Sequence, residues 1–294
     1  MRKLLLIMNP RSGKQKARGK LAEIIAMFNR ADYEVTVHMT AARADATKVA
    51  AERGANYDIV VCIGGDGTFN EVISGLYSVG CTTPVGYIPA GTTNDFANSL
   101  ELKRNMLVAA QDIINGKPNP LDIGQFNGRY FSYIASFGAF TRSSYATPQS
   151  LKNLLGHTAY LLSGATELAR IRSRRLKFTL EDGTVLEDDY IFGAISNSTS
   201  VAGVLTLDPK RVDLHDGLLE LLLVRRPRNL LEVTDCIIAL TNQDYSVPMI
   251  TLRSTARLEI EAPADMDWTL DGEYQAGCAH CTVENLHNAI YLVK

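Results

Sequence analysis

The chain has 294 residues, and its 30 basic and 32 acidic side chains leave a formal charge of −2. This length is typical of about two domains. The near-neutral charge argues against a dedicated nucleic-acid-binding protein, which would carry a basic surface. The longest apolar run, residues 218–224, is interrupted by Glu220 and is shorter than the roughly 20 residues that span a bilayer. Five cysteines, an odd number, do not indicate a disulfide framework, and we expect a cytoplasmic protein.

The first 115 residues alternate between strand and helix patterns. Residues 3–8 and 58–63 are continuous apolar runs, as is typical of strands buried on both faces. Further strands are predicted at 34–39 and 85–88, and helices at 17–28, 44–53, 69–79 and 106–114. This alternation predicts an α/β domain with a doubly wound parallel sheet, which we place at residues 1–118.

The pattern changes after a glycine- and proline-rich linker at residues 116–120. Two hairpins are predicted, 121–126 with 129–135 around an Asn127-Gly128 turn, and 176–180 with 185–195. The remaining candidates are strands at 218–224, 251–260, 267–270 and 289–293 and helices at 151–171 and 230–240. We therefore predict a β-rich, mainly antiparallel, sandwich-like second domain at residues 119–294.

Glycine-rich loops follow the predicted strands of the first domain, where open parallel sheets bind their ligands. Glycines let the backbone approach a phosphate, and the next helix N-terminus offers free N–H groups. Gly64 to Thr68 is not a G-x-G-x-x-G fingerprint, because Asn70 stands where the last glycine belongs. Any one such loop is also compatible with an ordinary strand-to-helix turn. Asp66 between glycines is either an N-cap or, since it would repel a phosphate, a ligand of an intervening Mg²⁺.

Two motifs in this region resemble a known family. Gly64-Gly65-Asp66-Gly67-Thr68-Phe69-Asn70-Glu71 resembles the G-G-D-G-T-x-N-E signature of the diacylglycerol kinase catalytic domain family. Residues 88–96 resemble that family's P-x-G-T-x-N-D-F signature. Shorter matches follow in order and spacing: Asn9-Pro10-x-Ser12-Gly13, residues 121–124, residues 156–160 and residues 270–273. The resemblance covers essentially the whole chain and is nearest to the soluble bacterial enzymes of the DgkB type.

The resemblance implies a two-domain fold with the active site in the cleft between the domains, and it implies particular site residues. Asp66, Asp95 and Asp122 would form an acidic, water-linked network around a catalytic Mg²⁺, and Glu273 would be the general base. Asp213, Asp216 and Leu218 would occupy the place of a second, structural Mg²⁺. The chain departs from the family there, because the first residue is an acid and Leu218 offers only its carbonyl. The residues implied to bind ATP are Asn9, Pro10, Arg11, Ser12, Gly13, Thr40, Gly65, Asp66, Gly67, Thr68, Phe69, Asn70, Glu71 and Thr92.

Without the resemblance, some of these positions have simpler interpretations. Glu273 follows Asp271-Gly272, a hairpin turn signal, and would read as an exposed turn residue. Asp213 and Asp216 precede Gly217 and are compatible with a plain turn. Asp122 lies in an apolar stretch, where an unpaired carboxylate is costly to bury, and this favours a functional role.

Cysteines and basic residues supply the remaining candidates. Cys278-Ala279-His280-Cys281 has too few neighbouring ligands for zinc, so a metal or redox function is disfavoured. The other cysteines, Cys62, Cys81 and Cys236, are interpreted as packing residues. The basic run at 170–177 is either a solvated helix end or a contact with anionic lipid headgroups, to which Arg225, Arg226 and Arg228 could add.

The resemblance predicts a cytoplasmic, ATP-dependent lipid kinase, peripheral to the inner face of the membrane, that converts 1,2-diacyl-sn-glycerol to phosphatidic acid. Phosphatidylglycerol or a sphingoid base are alternative acceptors, and a homodimer is left open. NAD kinases and phosphofructokinases share a related loop, but Asn70-Glu71 and residues 91–95 argue against both. A non-catalytic nucleotide- and lipid-binding sensor is disfavoured because the predicted acidic residues and Glu273 are all present.

Overall fold

The computed structural model describes residues 1–138, 172–201 and 205–294. The chain forms two compact units, Met1–Ile123 together with Leu286–Lys294, and Gly124–Asn285. This division differs from the predicted 1–118 and 119–294 at both ends of the second domain. The C-terminal residues lie with the first unit because Leu292 pairs in parallel with Val85, which extends the first unit's sheet.

The first unit alternates strands and helices from its first residues. Its strands are β1 Arg2–Met8, β2 Tyr33–Met39, β3 Ile59–Gly64 and β4 Val85–Pro89. Its helices are α1 Lys16–Arg30, α2 Asp45–Arg53, α3 Asp66–Ser78, α4 Asp95–Ser99 and α5 Met106–Asn115. The short helix α4 has no counterpart in the sequence prediction, since five residues are too few to show a helical period.

The strands of the first unit form a parallel sheet in the order β2-β1-β3-β4. Helix α1 packs with α5 and helix α2 packs with α3. Leu4 and Leu6 of β1 lie in one core with Phe28 of α1 and Ile113 of α5. The predicted α/β domain with a parallel sheet is confirmed. Because the strands are parallel, the ends of β1, β3 and β4 lie along the same edge of the sheet.

The second unit is built mainly from strands. Strand β5 Pro118–Phe126 enters it, followed by β6 Arg129–Phe131, β7 Ile134–Gly138, β8 Arg174–Leu180, β9 Val185–Ser196, β10 Ser200–Val201, β11 Leu205–Thr206, β12 Leu219–Arg225, β13 Ile250–Thr255, β14 Arg257–Glu261, β15 Trp268–Leu270, β16 Glu273–Gln275 and β17 His280–Val293. Its described helix is α6 Leu230–Thr241. The predicted strand at 289–293 is therefore the end of a longer strand, whose first half is too polar to be recognised.

The strands of the second unit pair antiparallel in the order β16-β15-β7-β9-β8-β14-β17, and β12 pairs with both β9 and β13. Trp268 lies in the core with Phe126 and Phe137, at ring-centroid distances of 4.9 and 5.0 Å. Leu219, which begins β12, is buried in the same core. The predicted β-rich, mainly antiparallel second domain is confirmed.

Two predicted strands are interrupted. Residues 129–135 divide into β6 and β7 at Ser132 and Tyr133, whose N–H groups donate to the Asp271 carboxylate instead of to a neighbouring strand. Residues 251–260 divide into β13 and β14 at residue 256. The predicted helix at 151–171 and the family-like segment 156–160 lie outside the described residues.

The basic run at 170–177 is not the predicted solvated helix end from Arg174 onwards, because these residues begin strand β8. Arg174 pairs with Asp265 at 3.3 Å, Arg175 with Glu187 at 3.1 Å and Lys177 with Glu261 at 2.7 Å. Three basic residues of the predicted patch are therefore engaged in ion pairs. Across the described residues, no helix is long and apolar enough to cross a membrane.

Candidate active site

Asn9 links the first loop of the first unit to helix α3. Its backbone N–H donates to the Ile63 carbonyl at 2.9 Å, and its side-chain Nδ2 donates to Thr68 Oγ1 at 3.1 Å. Its Oδ1 accepts the N–H of Arg11 at 2.9 Å, which turns the loop towards Ser12 and Gly13. The residue that follows β1 therefore holds the first loop beside the helix that follows β3.

Glycines let the loops after β1, β3 and β4 contact one another through their backbones. Gly13 has a left-handed φ of +53°, and a side chain there would collide with the Ala90 carbonyl oxygen. A Cβ on Gly91 would lie 2.7 Å from the Gly65 Cα. Only glycine fits at these two positions. Because no side chain lies between the loops there, the backbone of all three loops is accessible at the sheet edge.

Helix α3 begins directly at this edge. Gly65 is its N-cap in an extended conformation, and the N–H groups of Thr68 and Phe69 donate to the Gly65 carbonyl. The N–H groups at the start of a helix have no helical acceptors, and together with the helix dipole they attract anions. A Cβ built on Gly67 would have nothing within 4 Å, so this first turn faces open space. The arrangement suits a phosphate group.

The Asp66 carboxylate at the start of α3 accepts hydrogen bonds from a tyrosine hydroxyl and from backbone N–H groups. Tyr87 Oη donates to Asp66 Oδ1 at 3.1 Å, and the Asp95 backbone N–H donates to Oδ2 at 2.8 Å. Burial raises the pKa of Asp66 to about 6, and the charge of Asp95 adds to this, whereas the Tyr87 hydrogen bond opposes it. A buried carboxylate with a raised pKa near a phosphate-accepting helix end gains most from a bound cation.

The loop after β4 is closed by Asn94. Its Oδ1 accepts the Gly91 N–H at 2.9 Å, and its Nδ2 donates to the Gly91 carbonyl at 3.1 Å. Asn94 has a left-handed φ of +53°, which Asn tolerates better than most residues, and this turns the Asp95 N–H towards Asp66. Thr92, predicted to bind ATP, is exposed in the middle of this loop.

The other residues predicted to bind ATP make different kinds of contact within the first unit. The Glu71 carboxylate accepts the N–H groups of Ala44 and Ala46, at 2.9 and 3.3 Å, and so caps the start of α2. Phe69 is buried and stacks on Tyr87 at a ring-centroid distance of 4.4 Å. The Thr40 N–H donates to the Met8 carbonyl at 2.9 Å. The list is completed by Pro10, which is buried, and Asn70, whose Oδ1 accepts the Ser74 hydroxyl at 3.3 Å.

Asp122 is fully buried in β5, as its apolar sequence surroundings suggested. Its Oδ1 accepts the Asn288 N–H at 2.7 Å and lies 3.0 Å from His287 Nδ1. Both partners belong to β17 in the first unit. The carboxylate therefore has polar partners that compensate for its burial.

Glu273 begins the second strand of a tight hairpin. Leu270 pairs with Glu273 across a two-residue turn, in which Asp271 and Gly272 have φ values of +49° and +80°. Left-handed φ at both positions is the signature of a type I′ turn. The Glu273 side chain is 42% exposed, and its Oε2 lies 3.6 Å from the Arg129 guanidinium. Arg129 also donates to the Tyr274 carbonyl at 2.8 Å, which fixes its position along β16.

The Asp271 carboxylate is buried in the same hairpin. It accepts the backbone N–H groups of Ser132, Tyr133 and Ile134, the last two at 3.1 Å. Burial raises the pKa of Asp271 to about 6, although the three N–H donors favour the charged form. Its turn conformation could be anticipated from Asp-Gly, but its distant partners gave no signal in the sequence.

The loop before β12 contains the residues predicted to hold a second Mg²⁺. Asp213 Oδ1 accepts the His215 N–H at 3.0 Å, and Asp216 Oδ1 accepts the Leu218 N–H at 2.9 Å. The Leu218 carbonyl accepts Asn285 Nδ2 at 2.9 Å. Each aspartate thus closes a local turn, as the simpler interpretation proposed.

Glu220, which interrupts the apolar run 218–224, is buried next to this loop. Its two carboxyl oxygens have no hydrogen-bond partner among the described residues. Burial raises the pKa of Glu220 to about 8, with further contributions from the charges of Asp216 and Asp213. An orphaned carboxyl beside two aspartates is compatible with a cation, because oxygen ligands suit Mg²⁺.

Within the described ranges, no group of three or more His, Cys, Asp or Glu side chains forms a ready metal centre. Mg²⁺ commonly binds one or two carboxylates and takes its other ligands from substrate phosphates and water. Asp66, at the N-terminus of α3, fits that manner of binding without a cluster of protein ligands.

Cys278 and Cys281 form a disulfide, which the sequence analysis did not anticipate. It closes the loop between β16 and β17, and Asn127 Nδ2 donates to Cys278 Sγ at 3.1 Å. Cys62 and Cys236 are buried free thiols, as expected of packing residues, and Cys81 is partly buried.

Comparison with known proteins agrees with this architecture. Residues 3–126 match the family described as diacylglycerol kinase catalytic domain. A diacylglycerol kinase of Bacillus subtilis (strain 168) is 34% identical over 100% of this chain and 96% of that protein. A diacylglycerol kinase of Staphylococcus aureus (strain MRSA252) is 32% identical over 92% of this chain and 85% of that protein.

Solved structures share the fold. One Bacillus anthracis structure superposes with a TM-score of 0.81 at 25% identity, covering 99% of this chain and 97% of that one. Another, a diacylglycerol kinase from the same organism, has a TM-score of 0.76 at 22% identity over 99% and 96% of the two chains. Because two diacylglycerol kinases are more than 30% identical to this chain over nearly its whole length, the chain belongs to the diacylglycerol kinase family.

Proposed function

We propose that this protein transfers the γ-phosphate of ATP to the free hydroxyl of 1,2-diacyl-sn-glycerol, giving phosphatidic acid and ADP. Family membership supports the reaction. The structural observation that carries the proposal is the carboxylate of Asp66 at the N-terminus of α3, where the glycine loops after β1, β3 and β4 meet. Phosphoryl transfer asks a protein mainly for positioning and charge neutralisation, and this edge of the sheet can supply both.

In this proposal the nucleotide phosphates bind along residues 9–13, residues 65–68 and Thr92. The close backbone contacts of Gly13 with Ala90 and of Gly91 with Gly65 leave no side chain between the loops. Thr40, Asn70 and Glu71 surround this edge, and Glu71 acts by fixing the start of α2. Pro10 and Phe69 contribute by packing rather than by direct contact.

Asp66, Asp95 and Asp122 are proposed to form the acidic network for Mg²⁺. Bound Mg²⁺ would neutralise the phosphate oxygens. Tyr87 and the Asp95 N–H orient the Asp66 carboxylate for this role. His287 and Asn288 hold the Asp122 carboxylate in a single orientation.

Glu273 is proposed as the general base that takes the proton from the acceptor hydroxyl. Its side chain is partly exposed, so a substrate can reach it, and Arg129 restricts its orientation from one side. A base must hold its carboxylate within hydrogen-bond reach of the hydroxyl, which makes this orientation important.

The reaction is tested by measuring phosphate transfer from ATP to lipids in mixed micelles. Diacylglycerol should be phosphorylated faster than phosphatidylglycerol or a sphingoid base, and Asp66→Asn should lose this transfer. Faster transfer to either alternative lipid would replace the proposed acceptor. ATP binding without transfer to any lipid would favour a non-catalytic sensor.

A second Mg²⁺ site is proposed at Asp213, Asp216 and the Leu218 carbonyl. The support for it is the chemistry of the donors and the orphaned carboxyl of Glu220 beside them. Calorimetric titration of Mg²⁺ into the nucleotide-free protein measures it. Asp216→Asn should remove one binding event, and an unchanged titration would refute the site.

Contact with an anionic membrane surface and assembly into a homodimer are separate proposals. The exposed Arg226 and Arg228 precede Leu231, which is 77% exposed at the start of α6. Two exposed arginines beside an exposed leucine suit an anionic lipid surface better than the basic residues of β8, which are already ion-paired. Sedimentation velocity at several protein concentrations measures the oligomeric state.

A further inference from the structure

The segment 127–134 holds the Glu273 hairpin from both sides. Before Glu273, the buried Asp271 carboxylate accepts three backbone N–H groups at 132–134. After Glu273, Arg129 donates to the Tyr274 carbonyl and to Gln275 Oε1, at 2.8 and 3.0 Å. The backbone is also tied, since the Asp271 N–H donates to the Ile134 carbonyl at 2.9 Å. Glu273 therefore lies between two anchored residues on one strand-turn-strand unit.

The turn itself does not require an aspartate at position 271. Asparagine adopts a left-handed φ at least as readily, and Asn-Gly is a preferred pair for type I′ turns. The three converging N–H groups, in contrast, require a group that accepts hydrogen bonds with both oxygens. Asparagine has only one acceptor oxygen, and its NH₂ group would face N–H donors.

We propose that Asp271 is a positioning residue, whose carboxylate fixes the hairpin so that Glu273 faces the acceptor hydroxyl. The inference rests on the proposed function, in which Glu273 is the base. Asp271 is buried, with 7% of its surface exposed, and in this proposal it does not contact the substrate. It would act through Glu273 alone, by holding the first residue of β16 against the loop that joins β6 and β7.

The test compares Asp271→Asn with wild type in the diacylglycerol kinase assay. Since a misplacement of about 1 Å can cost about 100-fold in rate, we expect kcat to fall roughly 10- to 100-fold. The ATP KM should stay within about twofold, because the nucleotide loops belong to the other unit. A kcat within threefold of wild type would overturn the proposal.

A matched control separates positioning from loss of stability. Leu221→Ala removes a buried side chain from the same unit's core, in strand β12, which pairs with β9 and β13 rather than with the hairpin strands β15 and β16. At a temperature where both variants are equally folded by Trp268 fluorescence, Leu221→Ala should keep near-normal turnover. Equal losses of turnover in the two variants would also overturn the proposal. Asp271→Ser is the second variant if asparagine prevents folding, since it too removes the carboxylate.

A double-variant cycle shows whether Asp271 acts through Glu273. Glu273→Gln alone should lower kcat about 10²- to 10⁴-fold, the usual contribution of a general base. If so, adding Asp271→Asn should lower turnover no further. A further tenfold loss would show that Asp271 does not act through the base. Near-normal turnover of Glu273→Gln would instead refute the proposed function at that residue, and positioning with it.

Discussion

The carboxylate of Asp66 accepts the backbone N–H of Asp95 at 2.8 Å, so the helix after β3 and the loop after β4 are joined by a charged hydrogen bond. Asp95 also contributes a negative charge that raises the pKa of Asp66. This hydrogen bond favours the charged form of Asp66, but burial and then the nearby charge of Asp95 raise its pKa to about 6, so a bound cation would favour the ionised carboxylate.

Asp66→Asn should abolish phosphoryl transfer while the protein stays folded. Asparagine keeps the shape and one acceptor oxygen, but it lacks the charge that Mg²⁺ requires. We expect turnover to fall on the order of 100-fold or more, as when a charge-stabilising group is removed from an active site. Turnover and thermal unfolding should be measured on the same preparation.

Tyr87→Phe is the matched control for that variant. It removes one donor to Asp66 but keeps the carboxylate and the ring that stacks on Phe69. Its turnover should stay within about tenfold of wild type. If Asp66→Asn is no worse than Tyr87→Phe, the charge of Asp66 has no catalytic role.

Gly91→Ala should weaken ATP binding. The new Cβ would lie 2.7 Å from the Gly65 Cα and 2.6 Å from Asn94 Oδ1, so the two loops must separate. We expect ATP affinity, measured by calorimetry, to fall about tenfold or more.

Gly19→Ala provides the comparison, because nothing lies within 4 Å of a Cβ at that position in α1. This replacement should stabilise the helix by about 1 kcal/mol and leave ATP affinity unchanged. Equal ATP affinities of the Gly91 and Gly19 variants would mean that the contact between the loops does not shape the nucleotide site.

The sequence predicts a structural feature well when the residues that form it are close together in the chain, and poorly when they are far apart. Strands β1, β3 and β4 are buried along most of their length, so their apolar runs and following glycine loops are visible locally. The interruption at Ser132 depends on Asp271, which is 139 residues away. The ion pair of Lys177 depends on Glu261, 84 residues away, so a basic run alone could not reveal it.

The candidate site shows the same limit. The role of Asn94 is visible in the sequence because its partner Gly91 belongs to the same motif. Asp66 is singled out by its own motif, although its partners Tyr87 and Asp95 lie outside that motif. Tyr87 and Arg129 were missed, since each lies inside a strand and reaches its partner only through the fold. Sequence motifs thus locate the proposed reacting groups, and the structure supplies the residues that orient them.

Membrane binding should depend on Arg226 and Arg228 rather than on Arg174 and Arg175. The latter pair is already bound to Asp265 and Glu187. Replacing both Arg226 and Arg228 with Gln should lower the affinity for anionic vesicles, measured by co-sedimentation, roughly 30-fold. This corresponds to roughly 1 kcal/mol of binding free energy for each basic residue. The loss should shrink as salt is added, because exposed charges are screened over about 8 Å at physiological ionic strength.

The Arg174→Gln, Arg175→Gln variant is the control, with the same change in net charge. Its vesicle binding should stay within about twofold of wild type. If this control loses as much vesicle affinity as the Arg226 and Arg228 variant, only the net charge matters. If neither variant loses affinity, this surface does not contact the membrane.

The stability of the second unit should depend on the ionisation of Asp271. Burial raises its pKa from 3.8 to about 6 in the folded protein, against the effect of its three N–H donors. The folded state then binds the proton more tightly than the unfolded state, so this stabilisation is complete below about pH 3.8 and is lost as the pH rises through 6. The contribution of Asp271 to the free energy of unfolding cannot change by more than about 1.4 kcal/mol per pH unit.

The difference in free energy of unfolding between wild type and Asp271→Asn isolates this group. Asp66 and Glu220, whose pKa values are also raised, are present in both proteins and cancel. Trp268 is the single tryptophan and lies in the second unit's core, so its fluorescence during urea unfolding reports that unit. The difference should fall between pH 4 and 6 and stay flat from pH 7 to 8, beyond the titration of Asp271 near 6. A difference that rises with pH would mean that the three N–H donors outweigh burial, and that the carboxylate is bound in its charged form throughout.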